Sequence, residues 1–168
     1  MPKTNFVALD LTHDFRNEIH QICVQIKEQI KDYEFIPMDE ENLHMTLCFL
    51  GSVLMENRKN KMLTIDCNGQ IFANEFGGKI LEFDQYSLFP DSKKNLIVAK
   101  FKCSDKNFIA DMIKFKKMFC KIGAKEENYF TPHVTLGKIQ GVKANANIDL
   151  SSIPRIVSNI EITGCHMV

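Results

Sequence analysis

Leu43-His44-Met45-Thr46-Leu47-Cys48-Phe49-Leu50-Gly51 is the stretch on which the reading of this chain turns. A histidine is followed two residues later by a threonine, inside an apolar run of strand character. Side chains two apart in an extended strand point to the same face. His44 and Thr46 therefore stand side by side. The pattern returns at Pro132-His133-Val134-Thr135-Leu136-Gly137. One H-x-T carries no weight, because it arises by chance in many chains. Two copies, each followed at once by leucine and together using two of the chain's five histidines, do carry weight. Two such strands facing each other form a cleft with two imidazoles and two hydroxyls.

That equipment suits metal-free phosphodiester chemistry. Opening a cyclic phosphodiester with water needs one proton taken from the water and another given to the departing sugar oxygen. Histidine has an ordinary pKa of about 6.5, so one neutral and one protonated ring can coexist near neutral pH. Thr46 and Thr135 can donate to the non-bridging oxygens, although a β-branched residue also simply favours a strand. A metal site is the rival use of two histidines. Zinc takes three or four ligands, often at local spacings, and neither motif offers a second one. Cys48 shares the face of His44 in a regular strand but lies ~13 Å along it. The spacing predicts no metal. No nucleophile elbow, P-loop or dinucleotide fingerprint is present, so no cofactor is expected. His13, His20 and His166 lack the motif context. The first two fall at the start and on the polar side of a helix, and the third lies two residues from the end; all three read as ordinary polar positions.

The rest of the composition sets bounds. The chain has 168 residues, 45% hydrophobic and 25% charged, with net charge zero. Residues 1–168 read as one domain with a real core, and no global attraction to nucleic acid is indicated. Ten lysines and only two acids, Asp105 and Asp111, lie between Lys93 and Lys125; a solvated helix face explains most of them. The six cysteines are scattered without a C-x-x-C pair and behave as small buried hydrophobes. No signal peptide opens the chain and no apolar stretch reaches membrane-spanning length. A reducing, cytoplasmic compartment follows as the expectation.

Outward from the motifs, Phe6 to Leu11 reads as a strand. Thr12 or Asp14 then caps a helix with the stripe Phe15, Ile19, Ile22, Cys23, Ile26 and Ile30. Glu34-Phe35-Ile36-Pro37 is extended, and His44 to Leu50 is a strand closed by Gly51. A helical stretch is expected over Met55 to Ala73. Gly78 to Leu88 and Asn95 to Cys103 form an antiparallel hairpin around Phe89-Pro90-Asp91-Ser92. Asp105 to Ile122 is a helix striped by Phe108, Met112, Phe115, Phe119 and Ile122, and Gly123 stops it. Val134 to Ile139 is a strand, Lys143 to Asp149 a loop, and Ile156 to His166 a final alternating strand. Mixed helices and antiparallel strands make an α+β fold. The repeated order of strand, helix and histidine strand hints at duplication, with two pseudo-equivalent lobes and a cleft between their sheets.

These residues resemble the two-histidine phosphoesterases. Leu43 to Val53 and Tyr129 to Lys138 are similar to the two signatures of the LigT-like group, the RNA 2',3'-cyclic phosphodiesterases also called 2'-5' RNA ligases. Phe6 to Leu11 resembles the family's opening strand. Ser87-Leu88-Phe89-Pro90 with Leu96-Ile97-Val98-Ala99 resembles its central hairpin. The resemblance implies a bilobal, pseudo-symmetric fold with two antiparallel sheets flanking a central cleft and helices outside. It implies metal-independent hydrolysis of RNA 2',3'-cyclic phosphate ends to 2'-phosphates. His44 is then the general acid toward the 3'-oxygen and His133 the general base that activates water, with Thr46 and Thr135 on the phosphate. Reverse 2'-5' ligation uses the same groups.

Tyr129 and Phe130 stand where a base could stack. Thr131 and Lys138 occupy positions where the family often has arginine; lysine keeps the charge but loses the planar fork. The expected partners are RNA ends or 2',3'-cyclic nucleotides as substrates of a monomer, with neither metal nor membrane. Two alternatives stand: a 2'-5' oligoadenylate phosphodiesterase, and a non-catalytic module that binds nucleotides or RNA ends.

Overall fold

The computed structural model describes residues 4–52, 69–90, 93–118, 127–141 and 148–167. Strand β1 (Thr4–Leu9) leads into helix α1 (His13–Gln29). Thr12 caps α1 by accepting from the Phe15 amide at 3.2 Å, as its side chain and position predict. The six stripe residues from Phe15 to Ile30 are all buried. Next come β2 (Glu34–Pro37), a 3-10 turn at Glu40–Asn42, and β3 (Met45–Ser52). Residues 69–76 are helical (α2). The hairpin is β4 (Ile80–Phe89) and β5 (Leu96–Cys103), followed by α3 (Phe108–Lys116) and β6 (His133–Gln140). Two short strands, β7 (Ile160–Glu161) and β8 (Cys165–Met167), complete the order.

The strands form two antiparallel sheets, β3-β1-β8 and β2-β6-β5-β4-β7. The same local plan occurs in each. A central strand (β1 or β5) is followed by a helix and paired on one side with a histidine strand (β3 or β6). Helix α1 leaves the three-stranded sheet but packs on the five-stranded one. Phe15 meets Phe101 of β5 at 5.8 Å, and the Cys23 thiol donates to the Leu136 carbonyl at 3.4 Å. Phe72 and Phe76 of α2 pack with Phe108 and Phe115 of α3 at centroid distances of 5.3–6.0 Å. Both α2 rings are fully buried, which contributes about 1.5–3 kcal/mol each.

Both histidine strands carry a register shift at the same motif position. Ala8 pairs with Thr46 but Val7 with Cys48, so Leu47 has no counterpart across the sheet. Val98 pairs with Thr135 but Ile97 with Gly137, so Leu136 has none. An extra residue of this kind reverses the alternation beyond it. Met45, Leu47 and Cys48 are all buried, as are Val134, Leu136 and Gly137. His44, Thr46, His133 and Thr135 lie on the other, half-open side.

Several expectations change. Cys48 does not share the face of His44: the register shift turns it to the buried side, and it is 4% exposed. Strand β3 runs through Gly51 instead of closing there. Helix α3 starts at Phe108, since the Asp105 side chain accepts from the Asn107 amide and holds a turn ahead of it. The final strand is split. Its β7 part pairs with β4 and its β8 part with β1, so the chain crosses from one sheet to the other within a few residues. The parts of the expected helices over residues 55–68 and 119–123, the turn at Asp91-Ser92, and residues 143–147 lie outside the described residues.

Gly137 closes the second register shift at a point of close approach. A Cβ there would lie 2.5 Å from the Ile36 carbonyl oxygen and 2.5 Å from Phe35 Cε2. Gly137→Ala should therefore destabilise the fold by about 1–3 kcal/mol. The check is a lower denaturant midpoint at unchanged slope.

Candidate active site

His44 and Thr46 of the first motif, and His133 and Thr135 of the second, line one cleft of about 300 Å³ between the two sheets. The motif strands belong to different sheets, so neither motif makes the site alone. His44 stands immediately before β3, two residues after the 3-10 turn ends, and its Nδ1 lies 2.7 Å from the Asn42 carbonyl. His133 opens β6, and its Nδ1 lies 2.8 Å from the Thr131 carbonyl. Each ring thus bonds to the carbonyl two residues before it. A carbonyl only accepts, so Nδ1 carries the proton in both rings and donates. The remaining nitrogen, Nε2, is left to take or give a proton.

An aromatic side chain packs on each imidazole. Phe6 of β1 stacks on His44 at 4.5 Å and 28°, and Phe89 at the end of β4 lies 5.5 Å from His133 at 36°. The carbonyl sets the tautomer and the aromatic face limits ring rotation. Among the described residues, no group hydrogen-bonds the Thr46 or Thr135 hydroxyl, so both can donate into the cleft. The two imidazoles are held alike, and this geometry alone assigns neither acid nor base.

The cleft also gathers Tyr129, Phe130 and Thr131. Tyr129 is 68% exposed at the rim. Phe130 is buried and packs 6.4 Å from Phe108, so it belongs to the floor. Thr131 is exposed, and its carbonyl is the acceptor for His133. Lys138 lies exposed on β6 beyond the register shift and is not among the lining side chains. Of the remaining histidines, His166 donates from Nδ1 to the Asp10 carboxylate, while His13 and His20 border other grooves.

Sequence reasoning missed Phe49, Phe89, Lys116 and Glu127, all of which line the cleft. Phe49 lies past the first register shift, and Phe89 comes from the hairpin, so neither could be placed from local spacing. Lys116 did leave a signal. It falls four residues after Met112 on the apolar stripe of its helix, and it is buried instead of sitting on the solvated face expected for that lysine run.

Among the described residues no group of three or more His, Cys, Asp or Glu side chains could hold a metal ion. No described helix is long and apolar enough to cross a membrane. Two cysteines are poor nucleophiles. Burial pushes the Cys23 thiol up to about 12. Burial, and then the nearby Asp10 charge, pushes the Cys165 thiol up to about 12.

Known proteins are similar to this chain in sequence or in fold. An RNA 2',3'-cyclic phosphodiesterase of Methanocaldococcus jannaschii is 25% identical over 135 residues, which are 80% of this chain and 70% of the relative. The crystal structure of E. coli LigT complexed with 3'-AMP superposes with a TM-score of 0.61 at 23% identity, over 99% of this chain and 86% of LigT. The MHV ns2 PDE domain gives a TM-score of 0.61 at 13% identity, over 100% of this chain and 98% of that domain. At these identities the two structures speak for the fold alone. The LigT-like phosphoesterase family matches residues 9–98, more than half of the chain and including the first motif. With two antiparallel sheets around a cleft that holds both histidines, the chain belongs to the LigT-like phosphoesterase family, within the two-histidine superfamily.

Proposed function

We propose that this phosphoesterase hydrolyses RNA 2',3'-cyclic phosphate ends to 2'-phosphates without a metal. The observation that carries the reading is the matched holding of two imidazoles on opposite walls of one cleft, each with Nδ1 on a carbonyl and Nε2 free. In this mechanism Nε2 of neutral His133 takes a proton from water as the water attacks phosphorus. Nε2–H of protonated His44 gives a proton to the departing 3'-oxygen. The Thr46 and Thr135 hydroxyls donate to the non-bridging oxygens, where charge grows in the transition state. The assignment of acid to His44 and base to His133 follows the family resemblance. Run in reverse, the same groups form a 2'-5' linkage, but water is the abundant nucleophile.

An RNA end fits the rim as well as the centre. The cleft is lined by Phe49, Phe89 and Tyr129, which are 56%, 43% and 68% exposed. Exposed aromatic faces that converge on one cleft suit nucleobases, which stack without strong sequence preference. The curated relative's name and the 3'-AMP complex of LigT support a nucleotide ligand of this kind.

The deciding experiment is a product-resolved assay with chelator present, offering 2',3'-cyclic-ended RNA, 2'-5' oligoadenylate and 3'-5' RNA side by side. Conversion of the cyclic end to a 2'-phosphate is the expected outcome. Turnover of oligoadenylate alone, or a stable product complex without turnover, would each overturn the reading. His44→Ala and His133→Ala should each lower kcat by about 10²–10⁴, the span of general acid–base catalysis; retained activity in either removes that ring from the mechanism.

Tyr129→Ala should weaken binding of RNA ends by about 1–3 kcal/mol, the worth of one base–aromatic stack. The measurement is KM for a cyclic-ended oligonucleotide. A rise in KM at near-constant kcat places Tyr129 on the substrate, and an unchanged KM leaves it as rim surface.

A further inference from the structure

Lys116 is the one charged side chain buried among the described residues, at 7% exposure. A buried ammonium is costly unless charges and dipoles replace its water. Its partners all come from the short segment ahead of the second motif. Nζ lies 3.0 Å from Glu127 Oε2, 3.5 Å from the Tyr129 carbonyl, and 5.2 Å from the centre of the Phe130 ring. Two residues beyond Tyr129, the Thr131 carbonyl accepts from His133 Nδ1. One residue further, the Pro132 carbonyl accepts from the Phe101 amide of β5 at 2.9 Å. The carbonyl that orients His133 is thus suspended between two anchors: β5 on one side and the last turn of α3 on the other.

The first motif is built differently. The Asn42 carbonyl that orients His44 belongs to a 3-10 turn, closed by Asn42 N–H donating to Asp39 at 2.8 Å. That turn holds itself. Residues 127–132 have no helix or strand of their own, so a tether must come from elsewhere in the fold. The lysine supplies it where the stripe of α3 would otherwise carry an apolar side chain.

We propose that Lys116, paired with Glu127, is the positioning residue of His133. It clasps residues 127–130 to the end of α3, keeps the Thr131 carbonyl on Nδ1, and so keeps Nε2 directed into the cleft. Lys116 acts through this segment and not on the reacting atoms. The kinetic half of the inference rests on the proposed phosphodiesterase reading; the spectroscopic half does not.

The test compares Lys116→Met, Lys116→Arg and Glu127→Gln by steady-state kinetics and by NMR of the imidazole Nδ1–H signals in 15N-histidine-labelled protein. His44 is the internal control, because its carbonyl is held independently. In Lys116→Met the His133 Nδ1–H signal should broaden by exchange while that of His44 is unchanged. There kcat should fall about tenfold while KM moves less than about threefold, as expected for a group that aligns a catalytic residue. Lys116→Arg, which can keep the ion pair, should restore both. An unchanged His133 signal and kcat in Lys116→Met would overturn the clasp. So would equal broadening of both imidazole signals in a protein that remains folded. Should Lys116→Met fail to fold, Glu127→Gln decides on the same selective change at His133. A selective change at His133 in a protein that does not open cyclic phosphates retains the clasp and rejects the substrate.

Discussion

A leucine without a partner directly after the motif threonine, in each histidine strand, is the constraint on which this architecture rests. Each histidine strand has two obligations. Its inward side must complete an apolar core, and its outward side must present an imidazole and a hydroxyl to water. A regular strand meets both by alternation, but alternation would then carry the next residues of the outward face along the same line. The extra residue at Leu47 and at Leu136 reverses the phase. Beyond it, Cys48 and Gly137 fall on the buried side. The polar row therefore stops after the threonine, and the motif is anchored from behind by two consecutive buried residues.

That anchoring gives the site its stiffness. An imidazole is useful for proton transfer only when one nitrogen is committed and the other is aimed. Here the commitment is made by backbone: a carbonyl two residues upstream in each case, with an aromatic ring against each imidazole face. Backbone carbonyls do not titrate, so each Nδ1–H keeps its acceptor whether or not Nε2 carries a proton. The two halves differ in how those carbonyls are themselves held, by a local turn for His44 and by a long-range ion pair for His133. Equivalent placement of the two imidazoles is thus reached by unequal support.

The elements that could be read from the chain are those whose physics is local. The α1 stripe, its Thr12 cap, the β4–β5 hairpin and both H-x-T strands depend on spacings of two to four residues, and all are present. Three of the failures share one cause, which is that a partner elsewhere in the fold outweighs the local pattern. Cys48 changed face because β1 pairs with β3 out of step at Leu47. The run from Ile156 to His166 alternates like one strand, with Ile156, Ile160 and Ile162 buried. It is nonetheless shared between two sheets, because β4 and β1 each offer an edge. Lys116 sits on an apolar stripe because Glu127 and Phe130 make a buried ammonium tolerable there.

The chain by itself determined which groups are equipped for the proposed chemistry. Residue type fixes what can exchange a proton near neutral pH or donate to a phosphate oxygen, and a spacing of two puts each imidazole beside its hydroxyl whatever the rest of the fold does. Only the tertiary structure decided that the two pairs face a common cavity and which aromatic side chains surround them. Those outcomes depend on contacts between β3 and β6, between α3 and residues 127–130, and between the hairpin end and His133. Such contacts join residues beyond helix or strand spacing, 11 positions apart for Lys116 and Glu127 and 44 for Phe89 and His133, and no local pattern of hydrophobicity or turn chemistry encodes their distance or direction.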